Sequence, residues 1–548
     1  MVFFGNSMIE TIRRKIEECC SEQGWPQTAF TVERPRDRAF GHVSTNIALT
    51  LSKELKRAPR EIAEELIRHL QGKIPDLSAI DTAGPGFINF TFSPAYFQAF
   101  ITRIRKSRAD FQRELRGKDR KVQVEFVSAN PTGPLTIGHG RQAVLGDSIA
   151  RILEWHGYSV TREYYFNDAG RQMRMLGLSV LARYRQLLGE KADIPEGGYE
   201  GEYIFDIARD FRRQFGDSVS AEPLSPFIDF AAQQIFGTIR DSLQRLGIRH
   251  DVYYNEKDLY SSGKIDEVLK ELDEAGYLYH EGGATWFRTS RFGAEKDRVL
   301  VKNTGEPTYR LPDIAYHKEK IRRGFDLIID IFGADHHATY PDVKAALEAL
   351  GYSTGHIRVL LHQFVTLTRD GEKIKMSTRK ANFVTLDELI DLAGADVVRY
   401  FYLMRSMDSH LNFDIALAQK QSDENPVFYL QYAHARMCNI LVHSKEKHID
   451  SYEAADLALL QEPEVLALIE IMIEFKEIME MCHSTLEPMY LTNYLYRLAT
   501  AFHKFYTVHR VVTEDVALSK ARLQLVDAVK TILANGMYIL GISAPEKM

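Results

Sequence analysis

A histidine between two glycines lies within Pro134–Arg141, shortly after the strand-like run Val122–Val127 and before the helix-like run Ala143–Trp155. Glycine lets the backbone approach a ligand closely, and the first turn of a helix offers unpaired N–H groups to phosphate. The imidazole of His139 would project from such a turn toward the phosphates. The spacing therefore predicts a nucleotide-binding turn, although a Gly-His pair alone is frequent by chance.

A basic segment, Lys375–Lys380, lies far downstream, between the turn-like Arg369–Glu372 and the helix-like Leu386–Leu392. A loop with several cations suits a polyphosphate whose negative charge builds up in a transition state. By itself this segment resembles an ordinary basic surface loop. Together with the Gly-His turn it predicts chemistry on a nucleoside triphosphate, performed by positioned donors and cations rather than by a covalent nucleophile.

Alternating strands and helices must position both segments. Four runs have the composition of buried parallel strands: Val122–Val127, Ser159–Phe166, Leu327–Phe332 and Val359–Leu367. This alternation predicts a multidomain α/β protein with a Rossmann-type, doubly wound parallel sheet, which binds ligands beyond the carboxyl ends of its strands. The stretch of about 175–300 reads as an insertion into the sheet domain.

Two further units flank the predicted sheet domain, to which we assign residues 116–412. Residues 1–115 read as a small α+β domain, with a helix near Met8–Cys20 and an alternating strand at Gly86–Phe92. Residues 413–548 have apolar side chains at helical spacing throughout, which predicts an all-α bundle. A chain of 548 residues is long enough to bury a separate core in each unit.

Composition narrows the class of protein. No apolar run approaches the roughly 20 residues that a membrane-spanning helix needs, and the start of the chain lacks the basic segment of a signal peptide. The four cysteines lack metal-ligand spacing, which favours a reducing cytoplasm. The net charge of −6 does not exclude a nucleic-acid partner, because local basic patches bind phosphate. Four such clusters are Arg34–Arg38, Lys53–Arg60, Arg103–Arg108 and Lys118–Lys121.

The two segments together resemble the signature motifs of class I aminoacyl-tRNA synthetases, and six further segments resemble the arginyl-tRNA synthetase family. They are Glu125–Leu135, Tyr165–Gly170, Asp297–Lys302, Tyr309–Asp313, Asn425–Arg436 and Gly541–Met548. The resemblance implies activation of arginine by ATP to arginyl-adenylate and pyrophosphate, then transfer of arginine to the 3′-terminal adenosine of tRNA(Arg). It also implies a monomer, no tightly bound cofactor, no metal ligands in the protein, and Mg²⁺ carried by ATP.

For ATP, the resemblance implies a set of contacts and two departures from the family pattern. The implied ATP-binding residues are Gly138, His139, Lys375, Met376 and Ser377, and the implied catalytic residues are His139, Thr136, Lys375, Arg379 and Lys380. Thr136 replaces the usual first histidine, but a hydroxyl can still donate to a phosphate oxygen. Thr378 replaces the usual second lysine, and the sequence leaves open whether Arg379 or Lys380 supplies that charge.

For arginine, a guanidinium needs carboxylates, which it can bind with two parallel hydrogen bonds. The resemblance implies that Glu125, Ser128, Asn130, Tyr309, Asp313 and His336 bind arginine. Tyr309 and Asp313 lie four residues apart and share one face if their segment is helical. The types of Asp335, His336 and His337 would suit a metal site, but the sequence offers no further ligand at a spacing that would complete it. A substrate contact is therefore the better interpretation.

For tRNA, the resemblance implies that residues 1–115 contact the D-loop and that residues 413–548 contact the anticodon. The implied tRNA-binding residues are Phe87, Asn89, Tyr429, Arg436, Tyr506 and Met548. An asparagine amide in an aromatic strand needs polar partners, so we expect Asn89 to face outward. Single-stranded bases stack on aromatic rings, although Tyr429 and Tyr506 could instead pack in the helical core.

Three other functions stay open on the sequence alone. A class I synthetase for another amino acid is disfavoured by the Tyr309–Asp313 pair, because an acidic pocket suits a cationic side chain. A small-molecule adenylyltransferase would have little use for the two flanking units. A non-catalytic tRNA-binding paralogue is kept open by Thr136 and Thr378.

Overall fold

The computed structural model describes residues 8–35, 37–113, 115–334, 339–369, 371–374, 384–449 and 451–548. The α-helices are α1 (Met8–Glu22), α2 (Ile47–Leu55), α3 (Pro59–Leu70), α4 (Pro94–Ser107), α5 (Ile137–Trp155), α6 (Gly170–Leu187), α7 (Glu202–Phe215), α8 (Ser225–Arg245), α9 (Glu256–Ser261), α10 (Lys264–Glu274), α11 (Arg310–Arg322), α12 (Tyr340–Ala349), α13 (Leu386–Ala393), α14 (Ala395–Leu403), α15 (Ile415–Ala418), α16 (Pro426–Glu446), α17 (Pro463–Ile473), α18 (Phe475–Thr485), α19 (Met489–Val508) and α20 (Val516–Leu540). The strands are β1 (Val32–Glu33), β2 (Val43–Thr45), β3 (Leu77–Ala83), β4 (Phe87–Phe92), β5 (Lys121–Glu125), β6 (Ser159–Phe166), β7 (Val252–Asn255), β8 (Leu278–Glu281), β9 (Ala284–Phe287), β10 (Arg298–Val301), β11 (Leu327–Gly333), β12 (Ile357–His362), β13 (Val365–Arg369), β14 (Glu372–Lys373) and β15 (Leu411–Asp414).

The central element is a parallel sheet of five strands in the order β12-β11-β5-β6-β7. The chain builds β5, β6 and β7 outward in one direction and then returns to add β11 and β12 on the other side of β5. This order is that of a Rossmann-type doubly wound sheet, so the predicted fold class is confirmed. The strand order reverses between β5 and β11, and ligands of such sheets bind beyond the carboxyl ends of the strands at that point.

Two details of the sheet differ from the prediction. Strand β7 pairs with β6 although it lies in the stretch of 175–300 that we expected to be wholly an insertion. Strand β7 has only four residues, Val-Tyr-Tyr-Asn, and all are half-buried. It therefore lacks the longer apolar run by which the other strands were predicted. The predicted strand Val359–Leu367 is two strands, because Gln363 and Phe364 interrupt it and β13 pairs with β15 in another sheet.

The N-terminal unit has a four-stranded antiparallel sheet, in the order β1-β2-β4-β3, packed on helices. Its helix α4 packs on the C-terminal helices, where Arg105 Nε and Arg108 Nη1 lie 3.0 and 2.9 Å from carboxylate oxygens of Asp527. Burial opposes ionisation of Asp527, but the two guanidinium groups lower the pKa of this carboxyl. Arg34 adds a second connection, with Glu477 of α18 at 3.2 Å.

Insertions enlarge the region around the parallel sheet. Helices α6–α8 lie between β6 and β7, and a small antiparallel sheet, β10-β9-β8, lies between β7 and β11. Helices α16–α20 follow the sheet domain. Within the described part of the chain, no helix has the length and apolar composition that a membrane crossing requires.

Candidate active site

The Gly-His turn is the start of helix α5, and Thr136 is its N-cap. Thr136 Oγ1 accepts the backbone N–H of His139 at 3.5 Å, and His139 Nδ1 accepts the N–H of Thr136 at 3.2 Å. This reciprocal capping box satisfies two donors at the helix end. Because Nδ1 accepts a hydrogen bond, a neutral His139 ring carries its proton on Nε2, where it can donate to a ligand.

The glycines of the turn have different roles. A Cβ built on Gly140 would lie 2.6 Å from Leu386 Cδ1 and 3.2 Å from the Tyr402 ring, so Gly140 permits close packing of α13 and α14 on α5. Among the described residues, a Cβ built on Gly138 would meet only Thr136 Oγ1, at 3.7 Å. The space next to Gly138 is therefore open to a ligand.

The downstream basic segment lies outside the described residues: Lys375, Met376, Ser377, Thr378, Arg379 and Lys380 all belong to that gap, as does His336 to another. The described residues that follow the basic segment contact the Gly-His turn. Thr385 pairs with Thr136 in an antiparallel bridge, and Leu386 N donates to Leu135 O at 2.8 Å. The described residues that follow the basic segment are thus neighbours of the Gly-His turn.

The loop after β5 has an unusual backbone. Val127 and Ser128 have φ angles of +71° and +40°, a region that a β-branched residue rarely enters. Such strain costs about 1–3 kcal/mol per residue and is concentrated at functional sites. Ser128 Oγ donates to Glu125 Oε1 at 2.8 Å and accepts from Tyr165 N at 3.1 Å, which holds the loop at the point where the strand order reverses. The exposed Asn130 donates to Gln172 Oε1 at 2.8 Å.

Glu125 is buried beneath this loop rather than lining an open surface, with 3% of its area exposed. Its Oε2 contacts Lys320 Nζ, which also lies 2.6 Å from Asp330 Oδ1. Burial opposes the ionised form of Asp330, but Lys320 and His317 lower the pKa of this carboxyl. The contact of Glu125 with a ligand stays a prediction. In the structure, Glu125 links Ser128 of the loop to the buried Lys320.

Carboxylates converge at the carboxyl ends of β6 and β7. Glu256, which directly follows β7, accepts a hydrogen bond from Tyr165 OH at 2.9 Å. Desolvation raises the pKa of Glu256 to about 7; the Tyr165 hydrogen bond opposes this rise, and the charges of Asp313 and Asp168 add to it. Tyr165, Glu256, Asp313 and Asp168 form what we call the carboxylate cluster. Asp168 also lies 3.6 Å from Lys257 Nζ. Acidic groups gathered around one partly buried site favour a cationic ligand.

The sequence assigned a substrate contact to one member of this cluster, Asp313. Tyr165 and Asp168 lay in a family segment, Tyr165–Gly170, without an assigned role, and Glu256 was missed. Asp313 lies in the first turn of α11, and its backbone N–H reaches Tyr309 O at 3.4 Å, so the predicted helical relation of the pair is confirmed. Tyr309 is 60% exposed at the N-cap of that helix. The missing signal was β7, because a carboxylate that follows a recognised parallel strand would have been placed at the ligand edge.

In the C-terminal unit, aromatic side chains line a cavity of about 320 Å³. Its lining residues are Asp423, Phe428, Tyr429, Tyr432, Arg436 and His503. The Arg436 guanidinium lies 4.5 Å from the centre of the Tyr432 ring and 5.1 Å from that of Tyr506. Burial and the charge of Arg436 lower the pKa of His503 to about 4, so this ring is neutral at pH 7. The structure thus brings together Tyr429, Arg436 and Tyr506, and adds two residues that the sequence did not indicate, Tyr432 and His503.

The remaining predicted RNA contacts have different surroundings. Phe87 is 38% exposed on β4, whereas Asn89 is 6% exposed, so the expectation of an outward, accessible Asn89 is wrong. Asn89 shares a face of the sheet with Phe87 but lies on an inner strand, paired with Ser44 on one side and Asp81 on the other. Met548 is 55% exposed at the chain end.

Three family models match successive parts of the chain. They are the arginyl tRNA synthetase N terminal domain over residues 6–92, the catalytic domain of tRNA synthetases class I (R) over residues 101–401, and the DALR anticodon binding domain over residues 430–548. An arginine–tRNA ligase of Desulfotalea psychrophila is 50% identical over 99% of this chain and 100% of its own length. One of Salinibacter ruber is 48% identical, over 94% and 95%. The Thermus thermophilus arginyl-tRNA synthetase structure matches 99% of this chain and 100% of its own with a TM-score of 0.77, and at 22% identity this shows the shared fold.

Proposed function

This chain belongs to the arginyl-tRNA synthetase family of class I aminoacyl-tRNA synthetases, and we propose that its described geometry performs the two steps of arginine–tRNA ligation. It is a ligase that joins arginine to tRNA, and a class I synthetase uses ATP. In the first step the arginine carboxylate attacks the α-phosphate of ATP and pyrophosphate leaves. In the second step a hydroxyl of the terminal adenosine of tRNA(Arg) takes the arginyl group from the adenylate, which releases AMP.

The carboxylate cluster is the observation that carries this proposal. A guanidinium presents a planar fork of donors, and Glu256 with Asp313 supplies two carboxylates on the side of β6 and β7. Tyr309 adds an exposed ring beside the same helix turn. Ser128, Asn130 and Glu125 lie at the end of β5, where we place the α-amino and carboxylate end of the substrate.

ATP would bind at the N-terminus of α5. His139 Nε2–H and the open space at Gly138 suit the phosphates and the adenosine, and the helix end favours negative charge. Lys375, Met376 and Ser377, with Arg379 or Lys380, are proposed to contact the pyrophosphate, and His336 the amino acid. The bridge between Thr385 and Thr136 supports the placement of that basic segment beside the turn. Mg²⁺ would arrive with ATP, bound by phosphates and water.

Three units would share the tRNA. We assign residues 1–115 to the D-loop through the exposed Phe87, residues 116–412 to catalysis, and residues 413–548 to the anticodon. The aromatic cavity supports the last assignment, because unpaired bases stack on rings and on guanidinium planes. The chain end at Met548 would contact the same RNA. We further propose that the enzyme acts as a monomer in the cytoplasm, since one chain contains all of these groups.

The function is tested by ATP–pyrophosphate exchange with arginine, with lysine and with no amino acid, each with and without tRNA. Exchange is expected only with arginine, and most strongly when tRNA is present. Exchange supported by lysine would reassign the carboxylate cluster to an ammonium. No exchange under any condition, with tRNA still bound, would identify a non-catalytic tRNA-binding protein.

Tyr506→Ala is expected to raise the KM for tRNA roughly 5- to 100-fold with little change in kcat at saturating tRNA, because loss of one stacked base costs about 1–3 kcal/mol. The ring lies under the Arg436 guanidinium and is 37% exposed. Phe215→Ala, a comparably exposed aromatic on α7, is the control. An unchanged KM in Tyr506→Ala would show that the ring only packs on its neighbours.

Arginine binding is expected to strengthen as pH rises toward 7 and to level off above it. A raised carboxyl pKa of about 7 means that Glu256 is protonated below that pH, and a protonated carboxyl does not pair with a guanidinium. A bound cation lowers the pKa of Glu256, so arginine binding below that pKa releases a proton. The dissociation constant for arginine therefore falls, by up to tenfold for each unit that the pH rises, in the range below about pH 6. Equilibrium dialysis of arginine from pH 5.5 to 8.5 measures this. Retention of the full slope in Glu256→Gln would assign the proton to another group.

A further inference from the structure

Three buried carboxylates lie side by side on the central strands of the parallel sheet. Asp330 of β11 pairs with Glu125 of β5, and Glu125 pairs with Glu163 of β6. Paired residues on neighbouring strands point to the same face of a sheet, so the three side chains form one line across it. Glu125 is 3% exposed, and the other two carboxylates are completely buried. We call this line the acidic row.

Helix α11 supplies the partners of the acidic row. Lys320, which has no exposed area, contacts Glu125 and lies 2.6 Å from Asp330 Oδ1. Burial opposes the charged form of Lys320, but both carboxylates raise the pKa of its ammonium group, so it stays protonated. His317 Nε2 lies 3.1 Å from Asp330 Oδ2. The guanidinium of Arg323, directly after the helix, donates to both oxygens of the carboxylate on β6 at 2.6 and 2.7 Å. One face of α11 is therefore joined to three strands at once.

Each of these elements also carries a group of the proposed arginine site. On β5, the acidic row accepts a hydrogen bond from the hydroxyl of Ser128 at 2.8 Å. On β6, Tyr165 lies two residues beyond the row and donates to Glu256 at 2.9 Å. On α11, the carbonyl oxygen of Asp313 lies 2.8 Å from Nδ1 of His317. The acidic row thus connects the groups that would hold the two ends of arginine.

We propose that the acidic row and Lys320 set the distance between the two ends of the arginine site, so that the enzyme selects its substrate by length. This inference rests on the proposed function. Lys320 is a positioning residue in it, because it is completely buried and acts through Glu125 and Asp330. A buried ion pair is often no more stabilising than apolar side chains of equal volume, but it can fix one register between two elements. A shift of α11 by about 1 Å would move Asp313 relative to Ser128, and a displacement of that size can cost about 100-fold in rate.

The test compares L-arginine with L-homoarginine, which is one methylene longer, in ATP–pyrophosphate exchange with tRNA present. The unsubstituted enzyme is expected to prefer arginine by about 10- to 200-fold in kcat/KM, the usual discrimination for one methylene. Lys320→Met should raise the KM for arginine and reduce this preference by about tenfold, because the two ends of the site are no longer held at one distance. The KM for ATP should stay unchanged.

Two further variants separate positioning from stability. Lys320→Met leaves two buried carboxylates without their cation, so its melting temperature should fall. Lys320→Met combined with Asp330→Asn removes one charge of each sign, and it should recover most of the melting temperature but not the preference for arginine. Asp330→Asn alone keeps the volume of the side chain. If Lys320→Met does not fold, the double variant and Asp330→Asn carry the test.

Lys318→Met is the matched control. Lys318 is a second buried lysine of α11, 2% exposed, but its partners Glu267 and Glu271 lie on α10 and not on the sheet. This variant should lose stability and keep the full preference for arginine over homoarginine.

Four results would overturn the inference. An unchanged preference in the folded variants of Lys320 and Asp330 would exclude a positioning role. Recovery of both the melting temperature and the preference in the double variant would show that the row serves stability alone. An equal loss of preference in Lys318→Met would assign the effect to any loss of charge on α11. Equal use of the two amino acids by the unsubstituted enzyme would exclude selection by length. Exchange with neither amino acid by the unsubstituted enzyme would instead contradict the proposed function itself.

Discussion

Glu256→Gln and Asp313→Asn should each lower kcat/KM for arginine by about 30-fold to several thousand-fold. Removing one partner of a partly buried charge pair costs 2–5 kcal/mol or more, since the other charge is left without compensation. Glutamine preserves the shape of Glu256, and its amide oxygen can still accept the hydrogen bond from Tyr165 OH. The loss would therefore report charge and not packing. Initial rates of aminoacylation against arginine concentration measure it.

Asp258→Asn provides the matched control for this experiment, because Asp258 lies on the same short helix α9 and is exposed. Its kinetics should equal those of the unsubstituted enzyme. The double variant Glu256→Gln with Asp313→Asn should lose less than the sum of the single losses in free energy, as groups that bind one ligand together are not additive. Full arginine kinetics in either single variant would contradict the assignment of that carboxylate.

His139→Ala should lower kcat by about 100- to 1,000-fold, the size of effect seen when one preorganised donor to a developing charge is removed. The hydrogen bond from Thr136 N to Nδ1 holds the ring and directs Nε2–H away from the cap. The same substitution removes half of the capping box. A thermal melt separates the two effects, since a stability loss shifts the midpoint without a change in kcat at low temperature.

Substitutions of Thr136 distinguish a side chain that only caps helix α5 from one that also donates a hydrogen bond to phosphate. Thr136→Asn keeps an N-cap side chain but lacks the hydroxyl, whereas Thr136→Ala loses the cap at about 0.5–2 kcal/mol of stability. If the hydroxyl contacts phosphate during the reaction, both variants should lose kcat; if it only caps α5, Thr136→Asn should remain active. Thr136→His, which restores the common family residue, is expected to lower stability because imidazole is a poor N-cap. A more stable Thr136→His enzyme would contradict the capping role.

From the sequence alone, the chemistry of this site could be predicted more completely than the positions of its residues. The Gly-His turn and the family resemblance predicted the nucleotide end, and Tyr309 with Asp313 predicted a cation pocket. Glu256 escaped because β7 is four half-buried residues, which only their pairing with β6 identifies as part of the sheet. Thr136 was predicted to donate to phosphate. A threonine three residues before a side chain that can accept its backbone N–H, here His139, is also the pattern of a helix N-cap.

The same division holds in the flanking units. Helical periodicity predicted the C-terminal bundle, and Tyr432 lies one turn before Arg436 on α16. Nothing local to His503, however, showed that its ring meets Arg436 from α19. Asn89 was expected to be accessible from its strand pattern, but on the inner strand β4 it is only 6% exposed. Local periodicity and signature spacing depend on near neighbours in the chain, so the sequence by itself determined the fold class, the turn that begins α5 and the family, with its cationic substrate. Which carboxylates converge, which rings stack and which amides are buried depend on long-range pairing of strands and helices, and only the tertiary structure decided them.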